Sequence, residues 1–359
     1  METTVLVNAN ANASAHVHAR STARRSLFCS ALFDSSQLPD RDYYFDEDKQ
    51  ENRDAYKKHV ALMLTLALED PTAAAPSDAA VQAATHVFDL EVQLAKAHLT
   101  KTESRDPVAT YNKMPVADLN AASKNVFPFD AYLLGSTGKD SGALGDVNVR
   151  HTAALHRVAV VATTVEPAVL SAYLKWHAVT SCAGYLSKAL VDENFHFYET
   201  VLSGTQELKP RWKRAMAFTE SALGEALGQL YCAKHFDEDC KTRAFAVVES
   251  VRAALEERLR EVDWMKSDET RQEALKKMSR FRIKLGYPNK WIDYSTLSID
   301  TDKDNFLSMV FKSRAFDHAQ DSKEMNAETD REKWVSPPVK YDTTNYRCTS
   351  RQERITDKH

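Results

Sequence analysis

With 359 residues the chain is long enough to bury a large core, in one extended helical domain or in two. Its 9 glycines are few against abundant Ala, Leu, Glu and Lys, a composition that makes a mainly α-helical fold the expectation. A formal net charge of -4, with acidic and basic residues intermixed, leaves no stripe to hold nucleic acid, and no apolar run reaches the roughly 18 residues needed to span a membrane.

The first 36 residues are rich in Ala, Ser and Asn and carry Arg20, Arg24 and Arg25 against Glu2 and Asp34. That composition is loosely like an organelle transit peptide, but a disordered or wrongly assigned start is the better reading. The one glycosylation sequon, Asn12-Ala13-Ser14, lies in the same stretch. Leu38-Pro39-Asp40-Arg41-Asp42-Tyr43-Tyr44 reads as a turn leading to a helix whose apolar face is Tyr56, Val60, Met63, Leu64 and Ala67, stopped by Asp70-Pro71. A second amphipathic helix is expected from Ser77, with Val87, Leu90, Leu94 and Ala97 on one side. Residues 100–125 read as a connector with short helical pieces. Residues 127–146, with Gly135, Gly138, Gly142 and Gly145, read as the most loop-like and mobile part of the interior. Val158 to Val161 fits either a strand or a helix start.

Pro167 suits a first helical turn, and Val169, Tyr173, Trp176, Thr180, Ala183, Leu190 and Phe197 predict one long helix or two consecutive ones. Another helix is expected from Pro210 through Leu230. Asp237 or Asp239 caps the next, with the apolar line Ala244, Val248, Val251, Leu255, Leu259 and Val262. Ser267 then opens a helix carrying Ala274, Leu275, Met278, Phe281 and Leu285, with Gly286 and Pro288 as its stop. A helical segment, a charged stretch to Trp334 and a polar tail complete the chain. Five scattered cysteines (Cys29, Cys182, Cys232, Cys240, Cys348) define no complete disulfide framework.

Three clusters bear on chemistry. Glu193 and His196 have the E-x-x-H spacing of a metal-binding helix, but a di-iron bundle needs that motif twice and no second copy occurs. Thr200 also stands where an H-x-x-E-H motif would need its second histidine. Cys232, His235 and Cys240 offer two thiolate ligands and an imidazole for zinc, with Asp237 as a possible fourth ligand, against the plainer reading of a helix end and cap. Gly135 to Lys139 is glycine-rich like a phosphate loop, but Leu133 and Asp140 break the pattern, so a flexible loop is the better reading.

Several phrases together resemble the neprilysin and endothelin-converting-enzyme family of zinc metallopeptidases. They are Leu38 to Tyr44, Asp106-Pro107 through Tyr111-Asn112-Lys113-Met114, Tyr173-Leu174-Lys175-Trp176, Leu227-Gly228-Gln229-Leu230-Tyr231, Trp264-Met265 through Thr270, Ala274 and Lys277, and Gly286-Tyr287-Pro288. The resemblance covers residues 37–335. It implies a large multi-helix lobe that closes over a peptidase lobe around an internal chamber and so selects peptides by size. Residues 1–36 and 336–359 stand outside it, as an atypical front and a divergent tail where the catalytic lobe would begin.

In that family Zn²⁺ is held by an H-E-x-x-H helix and a downstream Glu, and the first motif's Glu activates water. No His-Glu dipeptide occurs in this sequence, nor a Glu-Asn-x-x-Asp motif for the third ligand. Trp334, Pro338 and Val339 match the approach to the family's substrate-binding edge strand, but Lys340-Tyr341-Asp342-Thr343 departs from it. No catalytic, metal or substrate residue is therefore assigned, and zinc is expected only in full-length relatives. The expectation is an N-terminal lobe inactive by itself. One alternative is a stand-alone pseudo-peptidase binding peptides or a full-length relative; another is a helical di-metal oxidoreductase using Glu193 and His196. The resemblance suggests an extracellular or membrane-anchored setting, and the residues leave the compartment open.

Overall fold

A computed structural model describes residues 37–334, apart from 123–124, 325–326, 328–329 and 331. Residues 1–36 and 336–359, with the sequon and the Pro338-Val339 turn, lie outside the described residues. The fold is mainly α-helical, as composition predicts. The described residues divide into two compact units: one runs to Arg211 and includes those of Thr296–Thr329, the other comprises Trp212–Ser295 and those from Asp330 onward.

In the first unit, α1 (Gln50–Leu68) begins a turn earlier than its apolar spacing suggests. The Arg53 guanidinium donates to the carbonyls of Tyr43 and Asp46 at 3.0 and 2.7 Å, fastening the entering turn to the helix. Ser77 caps α2 (Asp78–Ala95) by accepting from the Ala80 amide at 3.1 Å, so the predicted start is met. The connector holds a feature invisible to local spacing. Strands β1 (Lys113–Pro115) and β2 (Asp146–Asn148) pair antiparallel, with Met114 opposite Val147.

Between these strands the loop-like reading of residues 127–146 is overturned. Phe129–Thr137 forms α3 and Ser141–Leu144 a further helical turn. The glycines misled because two of them act as punctuation: Gly138 (φ 68°) closes α3 in the left-handed conformation, and Gly145 (φ 65°) turns the chain into β2. Phe129 and Leu133 are buried with Val116, Val147, Val149 and Leu155 in a local core. Gly135 to Gly138 is therefore mostly the last turn of a helix, not a phosphate loop.

The ambiguous run at Val158 lies inside α4 (Thr152–Thr164). Pro167 is the first residue of α5 (Pro167–Cys182). The next predicted stretch breaks at a tight turn, Ala183–Tyr185, before α6 (Lys188–Phe195), and continues as a π-helical segment, His196–Val201. Helices α1, α2, α5 and α6 share the main core, where Tyr56, Val60, Met63, Val87, Trp176 and Phe197 are almost wholly buried.

The second unit carries α7 (Arg211–His235), interrupted by non-helical dihedrals at Leu223, and α8 (Glu238–Glu261), capped by Asp237. Helix α9 (Asp268–Ser279) starts at Ser267 as predicted but ends well before Gly286. Met278 is buried, whereas Phe281 lies past the helix end and is exposed, so the predicted face is shorter than its periodicity. Past the helix end the segment makes tertiary contacts instead: Arg282 pairs with Glu332, and the Lys284 ammonium donates to the Lys333 carbonyl at 2.7 Å. The first unit closes with α10 (Phe306–Glu324). Among the described residues no helix is long and apolar enough to cross a membrane.

Candidate functional site

The most unusual chemistry lies inside the first core. Glu91 sits on the apolar face of α2 between Val87 and Leu94 and is 1% exposed. Its two carboxyl oxygens are met by the hydroxyls of Tyr44 and Tyr56 at 2.9 and 2.8 Å, and the Trp176 indole N–H donates to the Tyr56 oxygen at 3.0 Å. The cluster thereby links the turn Arg41–Tyr44 with α1, α2 and α5. Burial raises the Glu91 carboxyl to about 8, an increase that the hydrogen bonds from Tyr56, Tyr44 and Trp176 only partly oppose. The His177 Nε2 atom lies 3.9 Å from Glu91, but burial lowers this imidazole to about 4, so at neutral pH the contact joins two neutral groups and is no ion pair. Burial likewise raises both tyrosines, which stay protonated.

A second buried contact explains the cluster around Glu193. The His59 Nδ1 atom and Glu193 Oε1 are 2.7 Å apart, tying α1 to α6. The His59 ring stacks on Phe197 at 4.6 Å and meets Trp176 edge-on at 5.5 Å. Burial lowers the imidazole, against the opposing pull of Glu193. A neutral ring with its hydrogen on Nδ1 donates to Glu193 and leaves Nε2 without a hydrogen-bond partner among the described residues. Phe197 comes from the π-helical segment, whose wider turn begins at His196, the second residue of the predicted E-x-x-H pair. Glu193 thus faces His59, while His196 is exposed.

The other predicted ligand set is likewise committed to structure. Asp237 accepts from the Cys240 amide at 2.8 Å, and the Arg243 guanidinium donates to the Cys240 sulfur at 3.3 Å. Cys232 is buried, and His235 packs beside Tyr231. Among the described residues no group of three or more His, Cys, Asp or Glu side chains is arranged to hold a metal ion. These residues do not fit a zinc centre.

The Gly286-Tyr287-Pro288 phrase forms a clasp on the start of α8. Lys241 donates to the Tyr287 carbonyl at 3.1 Å and lies 4.1 Å from its ring centroid, while the Tyr287 hydroxyl donates to Glu238 at 2.7 Å. That bond to Glu238 pushes the Tyr287 hydroxyl up to about 12. Gly286 has φ 72°, and a Cβ there would lie 2.5 Å from the Phe236 ring. Gly286→Ala is therefore expected to cost about 2 kcal/mol in denaturant unfolding. Gly184→Ala, where a Cβ meets nothing within 4 Å, should change little and serves as its control.

Sequence reading missed Tyr44, Tyr56, His59, Glu91, Trp176 and His177 as one group. One signal was present: Glu91 falls at helical spacing from Val87 and Leu94, on a face otherwise apolar. The arrangement offers no exposed nucleophile or open metal position; it is a buried polar network, with both Glu91 oxygens hydrogen-bonded, that orients four elements.

The signature of peptidase family M13 matches residues 12–288, beginning inside the stretch that sequence reading set apart as atypical. Membrane metallo-endopeptidase-like 1 of Homo sapiens is 26% identical over 273 residues, 75% of this chain and 35% of that protein. Endothelin-converting enzyme 1 of Mus musculus is 27% identical over 258 residues, 71% of this chain and 33% of that protein. Among solved structures, the Mycobacterium tuberculosis zinc metalloprotease Zmp1 in its open state aligns with a TM-score of 0.76 and 29% identity, over 93% of this chain and 53% of that one. Its inhibitor complex aligns with a TM-score of 0.74 and 32% identity, over 84% and 44%. PepO from Lactobacillus rhamnosis HN001, at 22% identity and a TM-score of 0.70, shares the fold.

Proposed function

This chain belongs to peptidase family M13, matching its N-terminal region, and from that premise we propose that it is the non-catalytic helical part of a neprilysin-like zinc metalloendopeptidase. The carrying observation is the asymmetry of the alignments: 93% of this chain lies along Zmp1 but covers 53% of that enzyme, and the chain spans about a third of the two mammalian relatives. The sequence, moreover, contains no H-E-x-x-H motif. Peptide hydrolysis at neutral pH needs a group that activates water, and metallopeptidases use zinc with a nearby Glu for this. The buried Glu91 network supports a scaffold role, because it holds the turn and three helices together without opening onto a substrate.

The test is a peptide-cleavage assay on the purified chain and on residues 1–334 fused ahead of the zinc-binding portion of Zmp1. The chain alone is expected to show no zinc-dependent cleavage, and the fusion to show cleavage that a chelator abolishes. Zinc-dependent cleavage by the chain alone would overturn the predicted inactivity. A folded, zinc-loaded fusion without activity would argue against the assignment as the peptidase's N-terminal part.

A further inference from the structure

We propose that the open apolar edge of α8 is the surface on which the zinc-binding C-terminal portion of an M13 peptidase chain docks, presenting an apolar helical face; this rests on the reading of the chain as the N-terminal part. Ala244, Val248, Val251, Leu255, Arg258 and Val262 recur in alternating steps of four and three residues, a coiled-coil seam broken only by Arg258. Such spacing lets one helix pack along another. Yet none of the 24 residues of α8 is buried: Val251 and Leu255 of the seam are 63% and 46% exposed, and Val247, one turn before Val251, is 64% exposed.

Both ends of the helix are held by the second unit itself. At the start, the Tyr287 clasp engages Glu238 and Lys241. At the end, the Arg271 guanidinium donates to the carbonyls of Leu259 and Met265 at 3.1 and 2.7 Å, a cation placed at a helix C-terminus. Between these anchors Ala244 and Val248 are half-buried, whereas Val251 and Leu255 stay exposed, and Trp264 just beyond the helix is 73% exposed. An open apolar patch of this kind marks an interaction surface.

Two observations choose the occupant. The same fold in the two Zmp1 structures occupies 53% and 44% of those chains, so about half of each enzyme lies outside the matched part. The described residues among 330–334 also rejoin the second unit, where Arg282 and Lys284 fasten Glu332 and Lys333. In a full-length relative the polypeptide that follows would therefore start on the unit that carries the open seam.

The test co-expresses the full 359-residue chain with the separate C-terminal zinc-binding portion of Zmp1 and measures co-purification. The wild-type chain, V251E/L255E and the control L68E/V81E are compared, the control altering exposed positions of the first unit. The expected result is one-to-one recovery with wild type and control, reduced at least tenfold by V251E/L255E, at an unchanged melting temperature for each chain alone. Recovery that V251E/L255E leaves intact overturns the docking surface but not the family-part reading. No recovery with wild type overturns the docking proposal alone, because the covalent fusion tests that reading separately. Self-association that V251E/L255E disperses assigns the face to a second copy, a lowered melting temperature of V251E/L255E alone assigns it to the chain's own interior, and retention of a free peptide substrate lost in that variant assigns it to substrate; each overturns the proposal.

Discussion

Glu91→Ala is expected to destabilise the chain by about 4 kcal/mol in denaturant unfolding, because it leaves the Tyr44 and Tyr56 hydroxyls buried without their acceptor and opens a cavity. Glu91→Gln keeps the shape and most of the hydrogen bonding and should cost about 1 kcal/mol or less. The more telling measurement is stability against pH. With its carboxyl raised from 4.5 to about 8, the folded chain holds a proton at Glu91 that the unfolded chain has released, so this group's contribution falls as pH rises through that window. His177 acts in the opposite sense. Its imidazole is lowered from 6.5 to about 4, so between those values the unfolded chain binds the extra proton and stability rises with pH.

The two effects oppose each other up to 6.5, with His59, also lowered by burial, adding to the rise. From 6.5 to about 8 Glu91 acts without them. Stability should therefore decline across that upper window by about 1.4 kcal/mol per pH unit at most. In Glu91→Gln the decline should vanish. A wild-type chain equally stable at both ends of the window would show that Glu91 is ionised in the fold.

Trp176→Ala is expected to be equally severe, about 4 kcal/mol, and to disturb both buried contacts at once. The indole is wholly buried, meets Tyr56 edge-on at 6.1 Å and His59 at 5.5 Å, and donates to the Tyr56 hydroxyl. Trp176→Phe retains most of the packing but no donor, so about 1 kcal/mol of loss should trace to the hydrogen bond. A double-mutant cycle with Tyr56→Phe checks the attribution: coupling near zero would mean that Trp176 stabilises by packing alone. Both replacements should weaken the first unit with little effect on the α8 clasp.

Much of the fold was legible from local rules. Ser77, Pro167, Asp237 and Ser267 each start their helices as read, because a cap or a proline acts within one turn of itself. The failures share a cause. The strands Lys113–Pro115 and Asp146–Asn148 are too short to show a period and exist only through each other. Residues 281–285 leave the helical pattern, and Arg282 and Lys284 there engage Glu332 and Lys333 from far along the chain. The glycines of residues 127–146 read as a mobile loop, but two of them, Gly138 and Gly145, end ordered elements.

By itself the sequence determined the mainly helical class, most helix starts, the resemblance to neprilysin-like peptidases and the lack of an H-E-x-x-H motif, because composition, caps and contiguous motifs are all written locally. Only the tertiary structure decided that Glu193 faces His59, that Glu91 joins a turn and three helices, and that α8 keeps its apolar seam open. Those outcomes depend on residues 35 to 134 positions apart in the chain meeting in space, and on which faces find a neighbour, neither of which helical periodicity records.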